Sequence, residues 1–319
     1  MESAVPLVVV VGPTASGKSR LAVELCLRLG GEVVNADALQ LYRGMDIGTA
    51  TTPPGERRGV PHHLIDVLDV AEAASVAAFQ EQARAVVADC RGRGVVPVLV
   101  GGSSLYVRAV VDELDFPGTD PDVRARYAAR LEAEGAEALH AELARVAPEA
   151  AAHILPSNGR RLVRALEVTE ITGRPFRATM PPHRSVVGPV RMIGLDVPRE
   201  VLDVRITERV DAMWEAGLLE EVRRLREQGL DDAPTAARAL GYAQAAAQLD
   251  GELSEEQARA TTARATSAFA RRQDRLFRKD PRITWMPFDS PSLVEDAVAV
   301  VETNRLRGTD GSDQPGGRA

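Results

Sequence analysis

Lysine is almost missing from this chain. Of 319 residues, 39 are Lys or Arg; two are lysines, Lys18 and Lys279, which leaves 37 arginines. Cysteine is equally scarce, with Cys26 and Cys90 alone. Two cysteines outside any ligand-spaced pattern exclude a disulfide framework and a cysteine-based zinc site. Each lies among small apolar residues on an expected helix, so both are expected as buried free thiols in a reducing compartment. No apolar run approaches the ~20 residues of a membrane-spanning helix. The N-terminus carries no basic-then-apolar leader pattern. The chain is therefore expected to be soluble and cytoplasmic, with no membrane partner. No repeat with a period of roughly 20–50 residues is evident, which excludes a solenoid. Positive charge is not in overall excess either. A net charge of −7 excludes a protein that coats nucleic acid over its whole surface, though not one with a local basic face. An apolar content of 45% suffices for a packed core in one large or two modest domains.

One of the two lysines sits in GPTASGKS, residues 12–19. Gly12, Pro13, Thr14, Ala15, Ser16, Gly17, Lys18 and Ser19 form a complete G-x-x-x-x-G-K-[ST] loop. It follows an apolar, β-branched run at 7–11 and precedes a helical pattern at 20–29, the context this motif requires. In a chain with so little lysine, chance is a poor explanation of the match. Glycines let successive N–H groups converge on one concavity, and the following helix aims its positive end there. Lys18 adds a cation, and the Ser19 hydroxyl is suited to Mg²⁺. The loop should hold two linked phosphates. It does not say whose, because kinases, NTPases and some other transferases share it.

A short strand at 32–36 leads to Asp37 and Gln40. Ligands bind beyond the carboxyl ends of parallel strands, so both residues fall beside the phosphate loop. Asp37 is either functional or a helix N-cap. Pro61-His62-His63 suggests a metal, but neighbouring strand residues point to opposite faces and no third ligand is near, so no metal is expected there. A helix capped by Ser75 follows. The run at 95–100 reads as a buried strand entering a Gly101-Gly102 turn open to a ligand, with Ser103 as a helix cap, a ligand contact, or both. From Pro117 alanine, arginine and glutamate dominate, with helical spacing at 122–147 and 158–172. Arg160, Arg161 and Arg164 accumulate there with Arg174, Arg177 and Arg184. A strand at 190–197 rejoins the sheet, and a long helix is expected over about 199–228. The last helix of 233–282 carries Arg259, Arg264, Arg271, Arg272, Arg275, Arg278, Lys279 and Arg282 against Asp274 and Asp280, an excess of six charges (eight less two). Phe269 and Phe277 interleave, which favours a nucleic-acid face over a merely solvated one. The expected class is α/β, a P-loop NTPase-like parallel sheet core with a helical insertion and a basic helical C-terminal section. The core spans 1–116, rejoined by 190–197 and 283–306. The insertion is 117–189, the second helical section 198–282, and 307–319 a disordered tail.

Together, GPTASGKS (12–19), DALQLYRGMDIGTA (37–50), PHHLID (61–66), GGSSLY (101–106), RRLVRALEV (160–168), ALGY (239–242) and ARRQ (270–273) resemble the bacterial tRNA dimethylallyltransferase (tRNA isopentenyltransferase) family, in order, from about residue 5 to 289. The resemblance implies transfer of a dimethylallyl group from dimethylallyl diphosphate to N6 of an adenosine beside the anticodon, assisted by Mg²⁺ at Ser19. It implies Lys18, Asp37 and Ser103 as catalytic, with Asp37 the general base and Ser103 keeping the hydroxyl where the family usually has threonine. It implies tRNA contacts from Asp37, Ala38, Leu39, Gln40, Ser103, Arg124, Arg160, Arg161, Arg164, Arg238, Gly241, Tyr242, Arg271 and Arg272, and a monomer that binds an anticodon stem-loop. Ala38 stands where the family often has serine, and Asp274-Arg275-Leu276 replaces a more usual Thr-Trp-like run. Two other classes share the loop, a small-molecule or nucleotide kinase and an RNA-binding NTPase. The kinase does not require the two arginine-rich helical sections, and for the NTPase the sheet offers only Asp66 as a strand-end acid.

Overall fold

In the computed structural model, which describes residues 5–303, six parallel strands form one sheet. They are β1 (Leu7–Val11), β2 (Gly31–Asn35), β3 (His62–His63), β4 (Val96–Gly101), β5 (Val190–Asp196) and β6 (Ile283–Pro287), in the spatial order β3-β2-β4-β1-β5-β6. Among the described residues, twelve α-helices connect or flank them: α1 (Lys18–Leu29), α2 (Val76–Gly92), α3 (Ser104–Val111), α4 (Pro121–Glu134), α5 (Ala136–Val146), α6 (Pro148–His153), α7 (Gly159–Thr172), α8 (Arg199–Glu215), α9 (Leu218–Glu227), α10 (Tyr242–Leu249), α11 (Glu255–Phe277) and α12 (Leu293–Glu302). Every residue of β1 is buried, as a central strand covered on both faces requires. Its period of two sorts the two layers. Leu7, Val9 and Val11 pack with Phe79 of α2 and Val107 of α3, while Val8 and Val10 pack with Leu21 and Leu25 of α1 and Ala297 of α12. This is the P-loop NTPase-like α/β fold.

The chain forms two compact units, Met1–Asp112 with Ser185–Ala319, and Glu113–Arg184. The smaller unit is α4–α7 around Tyr127, Leu139, Leu143, Leu162 and Leu166. In the larger, α8–α11 share a core of Tyr42, Trp214, Leu218, Val222 and Tyr242.

Several expected elements are shorter than their patterns. The helix expected over 199–228 is two, α8 and α9, because Gly217 takes a left-handed φ of 95° between them. The pattern at 122–147 divides at Gly135, φ 83°. Periodicity continues across both breaks because the same face stays buried. The strand read at His62 and His63 extends no further than those two residues. Leu64 and Asp66 have positive φ and turn the chain away from the sheet. The expected disordered tail, 307–319, and the end of the expected core segment 283–306, residues 304–306, lie outside the described residues.

Candidate active site

The phosphate loop links β1 to α1. Ala15 and Gly17 are left-handed (φ 63° and 93°), and Gly17 starts the helix. An added Cβ on Gly12 would come within 2.8 Å of Ser16 Oγ, itself buried without a hydrogen-bond partner. Lys18 Nζ donates to Pro13 O at 3.3 Å. Burial pushes the Lys18 ammonium down to about 8, with the Asp37 charge opposing and the Arg209 charge adding to the shift.

Asp37 follows β2. Buried Asn35 fixes it: Asn35 Oδ1 accepts Asp37 N–H at 2.9 Å, while Asn35 Nδ2 donates to Asp37 O at 3.0 Å and Leu64 O at 2.8 Å. Asp37 is not a helix cap, because the chain runs on from it into turns and not into an α-helix. Its Oδ1 accepts Leu39 N–H at 3.0 Å and shapes the first of them. One cavity is lined by Thr14, Lys18, Ser19, Asp37, Gln40 and Thr49, together with His62 and Arg209. Of the predicted residues the structure therefore brings Thr14, Lys18, Ser19, Asp37 and Gln40 together. Pro13, Ala15, Ser16 and Gly17 shape the loop behind them.

Four participants lie outside the predicted site residues. Arg209 of α8, one arginine among many, donates to Thr14 Oγ1 at 3.0 Å and faces Asp37. Gln273 of α11 accepts Thr14 N–H at 2.9 Å through Oε1. It ends the ARRQ segment, but only the fold shows that it reaches a loop 259 residues away. Thr49 donates its hydroxyl to Met45 O at 2.5 Å. His62 points into the cavity, its Nδ1 2.8 Å from Val60 O, and burial holds its imidazolium below the usual range.

His63 faces the other way, 2.7 Å from Glu32, as strand alternation requires. Glu32, His63 and Cys90 cluster closely enough for a metal, but Arg93 fills that position. Its guanidinium donates to both Glu32 oxygens (2.8 and 2.7 Å) and lies 3.5 Å from Cys90 Sγ. This pairing, with help from His63, holds the Glu32 carboxyl down at about 2. Both cysteines are buried and free.

Other expectations change. The Gly101-Gly102 turn is closely packed, since a Cβ on Gly101 would meet Ala36 O at 2.5 Å and one on Gly102 would meet Gln273 Nε2 at 2.4 Å, and Gly101 also lines the cavity. Ser103 caps α3 by accepting Tyr106 N–H at 3.4 Å and is not among the cavity-lining residues. Asp66 is exposed in the loop after β3, away from the cavity lining. Tyr242 is 0% exposed, with its hydroxyl 2.6 Å from Glu221, and Gly241 is buried beside it, so neither is a surface contact for RNA. ALGY reads as a motif, but its work is packing. Ala38 and Leu39 are partly buried against the core, and Arg238 is exposed.

In the smaller unit, Arg124 and Arg164 both hold the carboxylate of Glu167, which is 0% exposed. Arg161 donates to Ala178 O at 2.5 Å, and Arg160 is exposed. Along α11 and just beyond its end the charge excess is partly spent internally. Arg259 pairs with Asp211 and Glu255, Arg278 with Asp196 and Asp274, and Arg282 with Asp112 and Asp280. Phe277 is core, 2% exposed. Arg264, Arg271, Arg272 and Arg275 stay exposed, Arg271 3.9 Å from Asp203 and Arg272 over the Phe269 ring at 5.5 Å. Among the described residues no helix is long and apolar enough to cross a membrane.

The model of the IPP transferase family matches residues 40–280. A tRNA dimethylallyltransferase of Thermobifida fusca (strain YX) is 60% identical over 300 residues, covering 92% of this chain and 94% of that one. The full-length tRNA isopentenylpyrophosphate transferase of Bacillus halodurans superposes with a TM-score of 0.69 at 39% identity, over 95% of this chain and 98% of that one. A eukaryotic dimethylallyltransferase crystallised acting on tRNA shares the fold, with a TM-score of 0.79 at 23% identity, over 97% and 81% of the two chains.

Proposed function

The chain belongs to the IPP transferase family and is a tRNA prenyltransferase; from that premise we propose that it moves a dimethylallyl group from dimethylallyl diphosphate to N6 of an adenosine next to the anticodon. The observation that carries this reading is the meeting of the phosphate loop with Asp37 and Arg209 around one cavity. Cations stand where a leaving diphosphate gathers charge, and a carboxylate stands beside them for the incoming amine.

The allylic C1–O bond breaks as a bond forms between C1 and N6, and one N6 proton leaves. Loop N–H groups, Lys18 and Arg209 stabilise the negative charge as it grows on the diphosphate. Asp37 takes the proton. Asn35 and the Leu39 amide hold its carboxylate in place. Gln40 reads the base, and Ser103 keeps the start of α3 in register nearby. A divalent ion fits the site, because the Ser19 hydroxyl offers a hard oxygen beside a diphosphate, which suits Mg²⁺. When bound, Mg²⁺ would neutralise part of the leaving group's charge. The enzyme works as a cytoplasmic monomer on an anticodon stem-loop, whose unpaired bases are open to edge reading. Exposed arginines of α11, with Arg160 and Arg238, hold the RNA backbone.

Purified protein given tRNA with either allyl-labelled dimethylallyl diphosphate or γ-labelled ATP tests this reading. Allyl label is expected in RNA at N6 of one adenosine. Phosphate label in an acceptor, or no allyl transfer, would replace the reading with a kinase or an NTPase.

Two further outcomes are expected. Reversing the charge of Arg271, Arg272 and Arg275 should weaken tRNA binding. The slope of log K against log salt should fall by roughly 0.7–0.9 for each phosphate that the helix no longer neutralises. Diphosphate affinity should not change, and an unaltered slope would make α11 a solvated face. The second concerns pH. With Lys18 titrating at about 8 in the free enzyme, kcat/KM for the donor should fall as pH rises through 8, because the ammonium is lost. Bound diphosphate favours the charged form, so the fall in kcat should come at higher pH. A kcat/KM profile flat from about pH 7 to 9.5 would remove the ammonium from donor capture.

A further inference from the structure

We propose that Glu221 of α9 is a positioning residue for prenyl transfer, acting through residues 46–48 on the wall of the cavity that carries Gln40 and Thr49. The proposal rests on the reading of that cavity as the prenylation site. Glu221 is 2% exposed. Its partners are three consecutive backbone N–H groups and a phenol. Oε2 accepts from Asp46 N at 3.2 Å and Ile47 N at 2.9 Å. Oε1 accepts from Ile47 N at 3.2 Å, Gly48 N at 3.3 Å and Tyr242 Oη at 2.6 Å. Successive amides turned onto one anion make a nest, here filled by the protein's own carboxylate. Bonds to an ionised acceptor are the strong kind, and they fix the path of the segment.

Two features show that the path matters. An added Cβ on Gly48 would come within 2.3 Å of the Tyr242 ring, so the segment lies flat against the residue that completes the carboxylate's shell. The next residue, Thr49, offers its carbonyl to Gln40 Nε2 at 3.3 Å, and Gln40, Thr49 and Ala50 all line the cavity. A chain of contacts thus runs from α9 through Glu221 and 46–48 to Thr49 O and the Gln40 amide. The phosphate loop is not part of it. Glu221 therefore orients the base-reading side of the cavity and leaves the diphosphate side alone.

The test is Glu221→Gln, which keeps size but turns an amide N–H₂ toward N–H donors. At a temperature where circular dichroism shows native fold, the single-turnover prenylation rate should fall at least tenfold. The Kd of inorganic diphosphate should stay within twofold. Gln40→Ala should lower the rate in the wild-type background and add little to Glu221→Gln, since both disturb one element. Gly48→Ala, which leaves Glu221 intact but pushes 46–48 off it, should reproduce the loss and stands in if Glu221→Gln does not fold. Wild-type rates in the folded variants, or a Gln40→Ala effect that multiplies with Glu221→Gln, would overturn the proposal. Wild-type protein is run alongside. If it fails to prenylate tRNA, the assignment of the cavity itself falls, and the proposal with it.

Discussion

Lys18→Ala is expected to lower prenyl-transfer turnover by at least about 10²–10³-fold, since a single preorganised contact to charge developing in the transition state is worth about 2.7–4 kcal/mol. The fold should survive. Lys18 is only half-buried, and among the described residues its one hydrogen bond to protein is the 3.3 Å contact with Pro13 O. Burial holds its folded-state pKa, about 8, below the unfolded value. The ammonium thus disfavours folding below pH 8, and removing it should cost no stability. The loop's shape comes from Gly12, Ala15, Gly17 and the Gln273 clamp on Thr14, none of which changes. Thermal unfolding with steady-state kinetics checks both halves. A folded Lys18→Ala protein of near-normal activity would take the phosphate loop out of the mechanism.

Much of the core is legible in the sequence because it rests on local rules. The strand-loop-helix context of residues 7–29 places Lys18 and Ser19, and the strand end places Asp37 and Gln40 beside them. Alternation alone foretells that His62 and His63 face opposite ways. What stays hidden depends on long-range packing. Arg209 and Gln273 reach Thr14 from helices far along the chain, and each resembles its neighbours in composition. A run of charges does not reveal its partners. Glu167, buried under Arg124 and Arg164, holds two of the expected RNA contacts in ion pairs that the charge pattern does not show. Tyr242 and Gly241 sit in a motif that reads as functional, yet Tyr242 packs against Gly48 and bonds Glu221. Both helix breaks escape the periodicity, because a glycine in a left-handed turn leaves amphipathic spacing intact on either side.

Asp37→Asn is the second large effect. The substitution preserves size and lets the amide oxygen still accept the Leu39 N–H, so the turn after β2 should persist. Asn35 continues to hold the backbone on either side. Basicity is lost, and removing a general base typically costs roughly 10²–10⁴ in kcat. Affinity for tRNA should change far less, because the same oxygen can accept a hydrogen bond from the N6 amine. Were Asp37 needed only to shape its turn, asparagine would serve nearly as well, and both stability and rate would stay close to wild type. General-base catalysis is therefore best probed by single-turnover prenylation by Asp37→Asn with donor and tRNA both saturating, so that weaker binding cannot pass for slower chemistry. The expected result is a chemical step slower by roughly two to four orders of magnitude in a protein that melts like wild type. A chemical step within a factor of a few of wild type would refute it, leaving Asp37 to shape the turn and the proton to another acceptor.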